Sequence, residues 1–363
     1  MKKAIKILLD IIAALVILVL FEGCNLCPND PDDSSLQDEI LISYNSQNGK
    51  SILVLSNISN FSFREIIFDI SSHSSIAENG DFCYIIKNYK DIYSALFIGN
   101  IFSKSRKIIE IENQIFSIIN PVISPKSNAI AFSGGKGQLY LWINNISTKT
   151  TYIDKITNNF LESSIPVFTN DGKYLCFLEQ SQNEIKLSVI DILKPDEIVQ
   201  EYNFYGQTRL FGQDTRISIT DDNKVFFIAN DENAFYLNLI DLKSNKSTKY
   251  ALSKSVIQLH TGEISKDGKT AILVSNDGVI WGAKFDEAKV KIYQLTEFEQ
   301  CSRYIDIRWK KDGHMFLAFK INCNNELTTP KKLYLFYVDN TNDEIKITNS
   351  IYYASNVVDA YWR

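Results

Sequence analysis

Short apolar stretches alternate with polar turns along the chain from about residue 39 to its end. One unit recurs: an apolar stretch ends, two polar residues follow, Asp or Asn stands beside Gly or Asn, and a second apolar stretch begins. FTNDG at 168–172 and ISKDG at 264–268 are clear copies. Because Asp-Gly and Asn-Gly accept the left-handed backbone that a tight hairpin needs, each copy predicts a turn between two antiparallel strands.

The unit occurs six times in full and a seventh time in part, at intervals of 45 to 53 residues. We call the apolar residue that ends the first strand of each copy its anchor. The anchors are Ile76, Ile123, Phe168, Ile219, Ile264, Trp309 and Trp362. A period of this length is typical of repeat folds, in which each unit buries its apolar face against its neighbours.

Each repeat contains four stretches that become more polar along the chain. In the repeat at Ile219, the turn is followed by the apolar stretch 225–229, then by 235–240, and then by the more polar stretch 246–251. Four antiparallel strands graded in this way are typical of a β-propeller blade, whose strands run from a central hub to an outer rim. The pattern therefore predicts an all-β fold.

The two ends of the chain predict how the ring closes. The first unit, 39–70, offers three strands but no hub strand before them, whereas 356–363 offers a hub strand with nothing after it. We predict that the C-terminal strand completes the first blade and closes a seven-bladed ring, with six or eight blades as alternatives. A closed ring has no long exposed sheet edge.

The repeats resemble those of TolB-type propellers, also called PD40 or WD40-like repeats. That signature is an apolar residue, Ser-Pro-Asp-Gly-Lys and an apolar strand, and ISPKS at 123–127 and FTNDGK at 168–173 carry it best. Pro121 and Pro166 match the proline that opens the family's first strand. The resemblance covers about residues 39–363 and implies the fold. It implies no single activity, because the family includes periplasmic scaffolds, peptidase caps and sugar-acting enzymes.

The first 23 residues predict a secretory signal peptide. A basic start at 1–6 precedes the apolar run IIAALVILVLF at 11–21, and Gly23-Cys24 follows. This junction resembles the lipobox of bacterial lipoproteins, which implies that Cys24 carries a lipid. The polar, acidic segment 24–38 predicts a flexible tether, and 39–363 predicts the propeller.

The lipid predicts membrane attachment, and the alternative is a signal without lipid, either cleaved or retained as a transmembrane anchor. The 15 residues 7–21 are short for a span, which needs about 20. Either anchor places the propeller outside the cytoplasm, because the Lys-rich end stays inside. We predict a location in the bacterial cell envelope, facing the periplasm or the exterior, with the outer membrane or the cell surface favoured.

Charge and composition limit the partners. The chain of 363 residues has a net charge of −5 and no basic block, which argues against a nucleic-acid partner. Its 22 Phe and 18 Tyr suit half-buried strands. We expect a monomer that binds a protein of the envelope.

Two of the six cysteines predict a disulfide. Cys301 and Cys323 each lie 11 residues from Asp312, so they flank one hairpin symmetrically. Opposed strand residues come within disulfide range, and the predicted compartment is oxidising. Cys83 and Cys176 lie within apolar strands, which predicts buried, unreactive thiols.

No catalytic, metal or cofactor site is predicted. The three histidines, His73, His260 and His314, fall in different blades, and no GxSxG motif is present. In a propeller the loops at the mouth of the hub are the expected ligand-binding region, and insertions there often carry function. We select Arg209, His260 and Arg303 as candidate ligand-facing residues.

The predicted function is that of a non-enzymatic envelope lipoprotein whose propeller binds or scaffolds a protein. Two alternatives stay open: a propeller lyase or hydrolase acting on a carbohydrate, and a small-ligand sensor domain.

Overall fold

Antiparallel strands joined by short turns form the whole described part of the chain. The structure is a computed structural model that describes residues 39–45, 51–60, 62–68, 75–77, 79–89, 92–103, 105–109, 111, 118–135, 137–145, 150–161, 164–181, 184–207, 216–255, 257–286, 289–310, 313–322, 331–340 and 344–362. Within these residues there is no helix, and therefore none long and apolar enough to cross a membrane. Ile40–Arg363 forms one compact unit.

The strands group into seven blades arranged in a ring, as the sequence predicts. Blade 1 contains β1 (Glu39–Asn45), β2 (Ser51–Asn57) and β3 (Ser62–Phe68). Blade 2 contains β4 (Asp81–Tyr89), β5 (Ile92–Asn100) and β6 (Arg106–Ile109). Blade 3 contains β7 (Ile119–Ile123), β8 (Ala129–Gly135), β9 (Gln138–Asn145) and β10 (Thr150–Thr157), and blade 4 contains β11 (Val167–Phe168), β12 (Tyr174–Gln180), β13 (Glu184–Asp191) and β14 (Lys194–Tyr205).

Blades 5 to 7 follow the same order. Blade 5 contains β15 (Ser218–Ile219), β16 (Lys224–Asn230), β17 (Ala234–Asp241) and β18 (Lys246–Ser253), and blade 6 contains β19 (Leu259–Ile264), β20 (Thr270–Ser275), β21 (Ile280–Phe285) and β22 (Val290–Gln294). Blade 7 contains β23 (Ser302–Trp309), β24 (Met315–Asn322), β25 (Lys331–Asp339) and the first part of β26 (Lys346–Trp362).

The anchors mark the ends of the innermost strands, which we call hub strands. Five hub strands, β7, β11, β15, β19 and β23, end at an anchor, and β26 ends at the seventh anchor, Trp362. In blade 2 the described part of the hub strand forms an isolated bridge between Ile76 and Phe82. This is the repeat that departs most from the shared pattern.

The residue four positions after each of the six complete anchors adopts a left-handed backbone conformation. Its φ lies between 57° and 83° in Gly80, Ser127, Gly172, Asn223, Gly268 and Gly313. Each of these residues donates its N–H to the carbonyl three residues earlier, at 2.8–3.0 Å. The predicted hairpin turns are therefore confirmed, and Gly or Asn is frequent there because it tolerates this conformation.

A hydroxyl that sequence analysis did not single out closes several of these turns. Thr169 Oγ1 donates to Asp171 Oδ1 at 2.6 Å and accepts from the N–H of Tyr174 at 3.0 Å. Ser265 Oγ makes the equivalent bonds to Asp267 and Thr270. The residue after the anchor thus satisfies the buried groups at the base of the hairpin.

The polarity gradient within a blade follows burial. In blade 5 the second strand, β16, is buried along nearly its whole length, whereas the outer strand, β18, is mostly exposed. The second strand is covered on both faces by neighbouring blades, which favours a continuous run of aromatic and β-branched residues. The outer strand is the edge of its sheet, where charged residues discourage pairing with another chain.

The core consists of seven apolar clusters among the described residues, one between each pair of neighbouring blades. The cluster between blades 7 and 1 includes Ile40 and Ile42 from β1 and Leu317 and Phe319 from β24. Since this interface is as apolar as the others, the ring has no open seam there. Cys83 and Cys176 are fully buried, as predicted, and burial raises the pKa of each thiol to about 12.

The strand β26 closes the ring, as predicted, but it does more than its sequence pattern indicates. Its first part pairs with β25 at the rim of blade 7, and its last residues pair with β1 as the hub strand of blade 1. Val357 pairs with both neighbours, and Asn356 beside it has a φ of 59°. The rim strand of blade 7 and the predicted hub strand at 356–363 are therefore parts of one strand, Lys346–Trp362, that changes blade.

Candidate functional site

Hub strands are joined to the next blade by side chains that stand one residue before an anchor. Ser75 Oγ accepts a hydrogen bond from the N–H of Ile123 at 2.5 Å, and Ser218 Oγ accepts one from Ile264 at 3.1 Å. In blade 6 the same position is Glu263, whose Oε2 accepts from the N–H of Trp309 at 2.7 Å. The hub position that a serine hydroxyl occupies in blades 2 and 5 thus carries a carboxylate in blade 6.

Three further ionisable side chains meet in the hub beside this carboxylate. Asp306 of β23 accepts from Arg308 of the same strand at 2.6 Å and from Arg216, just before β15, at 3.3 Å. We call Arg216, Glu263, Asp306 and Arg308 the hub cluster. Arg216 belongs to blade 5 and Asp306 to blade 7, so this ion pair spans blade 6 at the hub.

The hub cluster is largely shielded from water. The side chains of Arg216, Arg308 and Asp306 are only 8%, 4% and 15% exposed. Taking such charges out of water is costly unless each finds a partner, and Asp306 pairs with both guanidinium groups. Its carboxylate therefore links blades 5 and 7.

The burial of Glu263 disfavours the ionisation of its carboxyl. Burial raises the pKa of its carboxyl above the usual range, and this effect outweighs the opposing influence of Arg308, Arg216 and Lys266. Lys266 itself donates to the carbonyl of Ile219 at 3.0 Å. Three cations therefore lie close enough to Glu263 to influence its ionisation.

The hub cluster contacts the end of β26, the strand that closes the ring. The guanidinium of Arg308 lies 5.2 Å from the ring centre of Tyr361, which belongs to the hub strand of blade 1. The indole N–H of Trp362 donates to the carbonyl of Arg308 at 3.0 Å. Such cation–π contacts are favourable when desolvated, so Arg308 serves both the cluster and the junction between blades 7 and 1.

One residue before the anchor, the side chains of blades 2 to 5 are uncharged. In blades 3 and 4 the position before the anchor is occupied by Val122 and Val167, both half-buried. Blades 2 and 5 have Ser75 and Ser218 there. The hub is thus apolar or weakly polar on one side and charged on the side of blades 5 to 7.

None of the predicted ligand-facing residues belongs to the hub cluster. His260 is the extra residue of a β-bulge in β19, where the register shifts between Leu259 and Thr261. Arg303 lies at the junction of blades 6 and 7, where its Nη1 donates to the carbonyl of Asn276 at 3.4 Å. Arg209 lies outside the described residues. All three stay predictions as ligand contacts.

Arg303 also explains a glycine in the neighbouring turn. A Cβ added to Gly278 would lie 2.1 Å from the Cβ of Arg303, and the φ of Gly278 is 80°. Both the space and the backbone conformation therefore require glycine. This close approach makes Arg303 part of the contact between blades 6 and 7.

The predicted cysteine chemistry falls partly outside the described residues, which include neither Cys24 nor Cys323. Cys301 is an exposed free thiol in the structure. It directly precedes β23, which pairs with β24 as far as Ser302 and Asn322, the residue before Cys323. The disulfide stays a prediction, and a non-reducing peptide map showing both thiols alkylated would rule it out.

The hub cluster could have been found from the sequence only by comparing repeats at fixed distances from the anchors. One and three residues before an anchor, blades 6 and 7 carry Glu263, Asp306 and Arg308, and blade 5 carries Arg216. The equivalent positions in blades 3 and 4 are uncharged. Within the described part of the chain, no three His, Cys, Asp or Glu residues are arranged to hold a metal ion.

Comparison with solved structures places the fold among the β-propellers. A protein from Lactobacillus plantarum superposes with a TM-score of 0.62 at 9% identity, over 89% of this chain and 98% of its own. The β-propeller domain of the Trilobed protease from Pyrococcus furiosus gives 0.58 at 10% identity, over 88% and 92%. That domain is described as having an open velcro topology, whereas here β26 pairs with β1 and closes the ring.

A third similar structure is a Bacteroides fragilis protein provisionally assigned as a 6-phosphogluconolactonase. Its TM-score is 0.57 at 11% identity, over 92% of this chain and 99% of its own. Identities this low show the fold alone. No family model matches the sequence, and no curated protein matches it. The chain is therefore defined as a seven-bladed β-propeller with a charged hub.

Proposed function

We propose that this chain is a lipid-anchored propeller of the bacterial cell envelope that binds a protein partner at the hub mouth and has no enzymatic activity. The observation that carries the proposal is the junction Gly23-Cys24, which stands between an apolar run and a polar segment. A lipid on Cys24 would hold the propeller close to a membrane surface. The segment 24–38 would act as its tether.

The fold supports a binding role. Its repeats resemble those of TolB-type propellers, a family that includes periplasmic scaffolds. Propeller loops and hub residues come together from distant parts of the chain, so a partner could contact several blades at once. The charged side of the hub, at Arg216, Glu263, Asp306 and Arg308, offers electrostatic selectivity for that partner.

The test is the intact mass of the mature protein extracted from membranes, compared between wild type and Cys24→Ala. We expect the wild-type chain to begin at Cys24 and to carry a diacylglyceryl group, and the variant to lack that group and to leave the membrane fraction. Cys27→Ala is the matched control, because it removes a cysteine three residues away and should keep the lipid.

Two results would overturn the anchor. A wild-type chain that retains residues 1–23 without lipid would instead indicate a transmembrane segment. A Cys24→Ala chain that carries the same lipid mass as wild type would show that another residue is modified. In either case the propeller would stand, but lipid anchoring at Cys24 would not.

A further inference from the structure

We infer that Phe298 anchors a protein-docking surface on blades 6 and 7, which fits a partner with an apolar pocket bordered by a cationic side chain. The inference rests on the proposed function and names the surface and the chemistry through which a protein would bind. Phe298 lies between β22, at the rim of blade 6, and β23, at the hub of blade 7. We call residues 297–301, all of which are exposed, the docking loop.

The side chain of Phe298 lies in solvent although the chain just before it is packed. Phe298 is 61% exposed and takes no part in the ring contacts of the described residues. Three residues earlier, Leu295 packs against the apolar cluster between blades 6 and 7. The connection therefore buries one of its two large apolar side chains and leaves the other in water, where its apolar area is available to a partner.

A single exposed apolar residue is common, but this one stands on a fixed frame. Before the docking loop, Thr296 donates its N–H to the carbonyl of Ile280 at 3.3 Å, and its Oγ1 accepts from the N–H of Ile280 at 2.9 Å. Within the loop, Glu299 accepts from Lys320 at 2.5 Å and from the hydroxyl of Ser302. An anchor held in place on both sides loses little conformational entropy when a partner binds.

A second exposed aromatic residue belongs to the same surface. The ammonium of Lys320 lies 4.9 Å from the ring centre of Tyr304 and 5.6 Å from that of Tyr334. The ring centres of Tyr334 and Tyr352 are 5.6 Å apart, and Tyr352 is 52% exposed. Aromatic residues are enriched at protein interfaces. Successive contacts thus join the docking loop to Tyr352, so that one partner could cover both.

Charge beside Phe298 favours a cationic group on the partner. Glu297 is exposed and takes part in no ion pair of the described residues. The cations of this surface are engaged elsewhere, because Lys320 pairs with Glu299 and Arg303 donates to the carbonyl of Asn276. The carboxylate next to the exposed ring therefore suits a cation at the edge of the partner's pocket.

The same charge argues against two other occupants of the surface. A twofold contact with a second copy would bring Glu297 and Glu299 of one chain towards those of the other. A membrane with anionic lipids would repel both carboxylates, and segments that lie on membranes carry lysine or arginine beside their apolar side chains. We therefore expect a different protein to cover the docking loop.

The experiment is photo-crosslinking of the full chain in the bacterium that makes it. Benzoylphenylalanine replaces Phe298 or, as the matched control, Tyr205, which is 76% exposed at the end of the rim strand β14 of blade 4. We expect an adduct with another protein at position 298 and none at position 205. The captured protein is then identified, purified and titrated by calorimetry against the full chain in detergent.

Three variants make the titration specific. Phe298→Ser should weaken binding at least about tenfold, because the partner's pocket loses the apolar area of the ring. Glu297→Gln should weaken binding about threefold and reduce its dependence on salt, whereas Tyr205→Ser should bind as wild type does. Phe298→Ser should also unfold at the wild-type temperature, since an exposed side chain adds little to stability, and this separates a binding role from a structural one.

The inference is overturned if position 298 captures no protein, or captures only lipid or a second copy of this chain. It is also overturned if the captured protein binds Phe298→Ser as tightly as wild type. A protein captured at 205 but not at 298 would leave the proposed binding function in place and overturn this surface alone. Capture of no protein at either position would count against both, while the mass measurement tests the lipid anchor separately.

Discussion

Deletion of residues 357–363 is expected to abolish the cooperative unfolding transition of the propeller. These residues include the hub strand of blade 1, which pairs with β1 from Ile40 to Tyr44. Their loss would leave β1 without its inner neighbour and open the apolar interface between blades 7 and 1. The lost ladder bonds and apolar burial would amount to at least about 5 kcal/mol, comparable to the whole stability of a domain.

Circular dichroism melting and limited proteolysis measure this effect. The truncated chain should melt broadly and be digested at concentrations of protease that leave the full chain intact. Its exposed sheet edge should also promote aggregation. Deletion of Arg363 alone is the control, because the pairing between β1 and β26 ends at Trp362. A truncated chain that melts as sharply and as late as the full chain would show that β26 is not needed for closure.

The second large effect is expected for Asp306→Asn in the hub cluster. The variant keeps the size of the side chain but removes the charge that compensates Arg216 and Arg308, both nearly fully buried. Removing one partner from a buried ion pair usually costs about 3–5 kcal/mol, because an uncompensated charge remains inside. We expect the unfolding midpoint to fall by about 5–10 °C.

The matched control for this variant is Glu344→Gln. Glu344 pairs with Lys346 at 2.6 Å, but both side chains are more than half exposed, at 55% and 70%. Exposed ion pairs contribute little, since water and salt screen them, so the control should melt as wild type does. Equal midpoints for Asp306→Asn and wild type would contradict the view that Asp306 compensates two buried cations.

The propeller could be predicted from the sequence because its repeat is local. Most turns bring their own Asp or Asn, and each has its own left-handed residue, such as Gly172 or Gly268. The spacing of the turns then determines the number of blades. Blade 2, whose described hub residues form an isolated bridge at Ile76, is the repeat that departs most from the shared pattern. Local signals of this kind do not depend on how distant segments meet.

The hub cluster could not be predicted in the same way because it depends on the closed ring. Arg216 and Asp306 are 90 residues apart, and their contact passes over an entire blade. The sequence-based selection of Arg209, His260 and Arg303 followed the expectation that loops carry function. In the structure His260 and Arg303 lie in the hub strands β19 and β23, four and six residues before their anchors, whereas the residues of the hub cluster lie one or three residues before an anchor.

The continuity of β26 was also hidden in the sequence. Polar residues at 355–356 separate its two parts and suggest a break. In the structure the strand continues through this point because Asn356 adopts a φ of 59°, which Asn tolerates better than most residues. One strand can therefore serve the rim of blade 7 and the hub of blade 1.

Hydrogen–deuterium exchange of the two segments that close the ring tests the central claim most directly. We expect the amides of 40–43 and 357–361 to be protected as strongly as those of the buried strands β8 and β20. Rapid exchange in both segments, with β8 and β20 still protected, would show that the ring is open between blades 7 and 1. The hub cluster would then lose the contact between Arg308 and Tyr361 of blade 1.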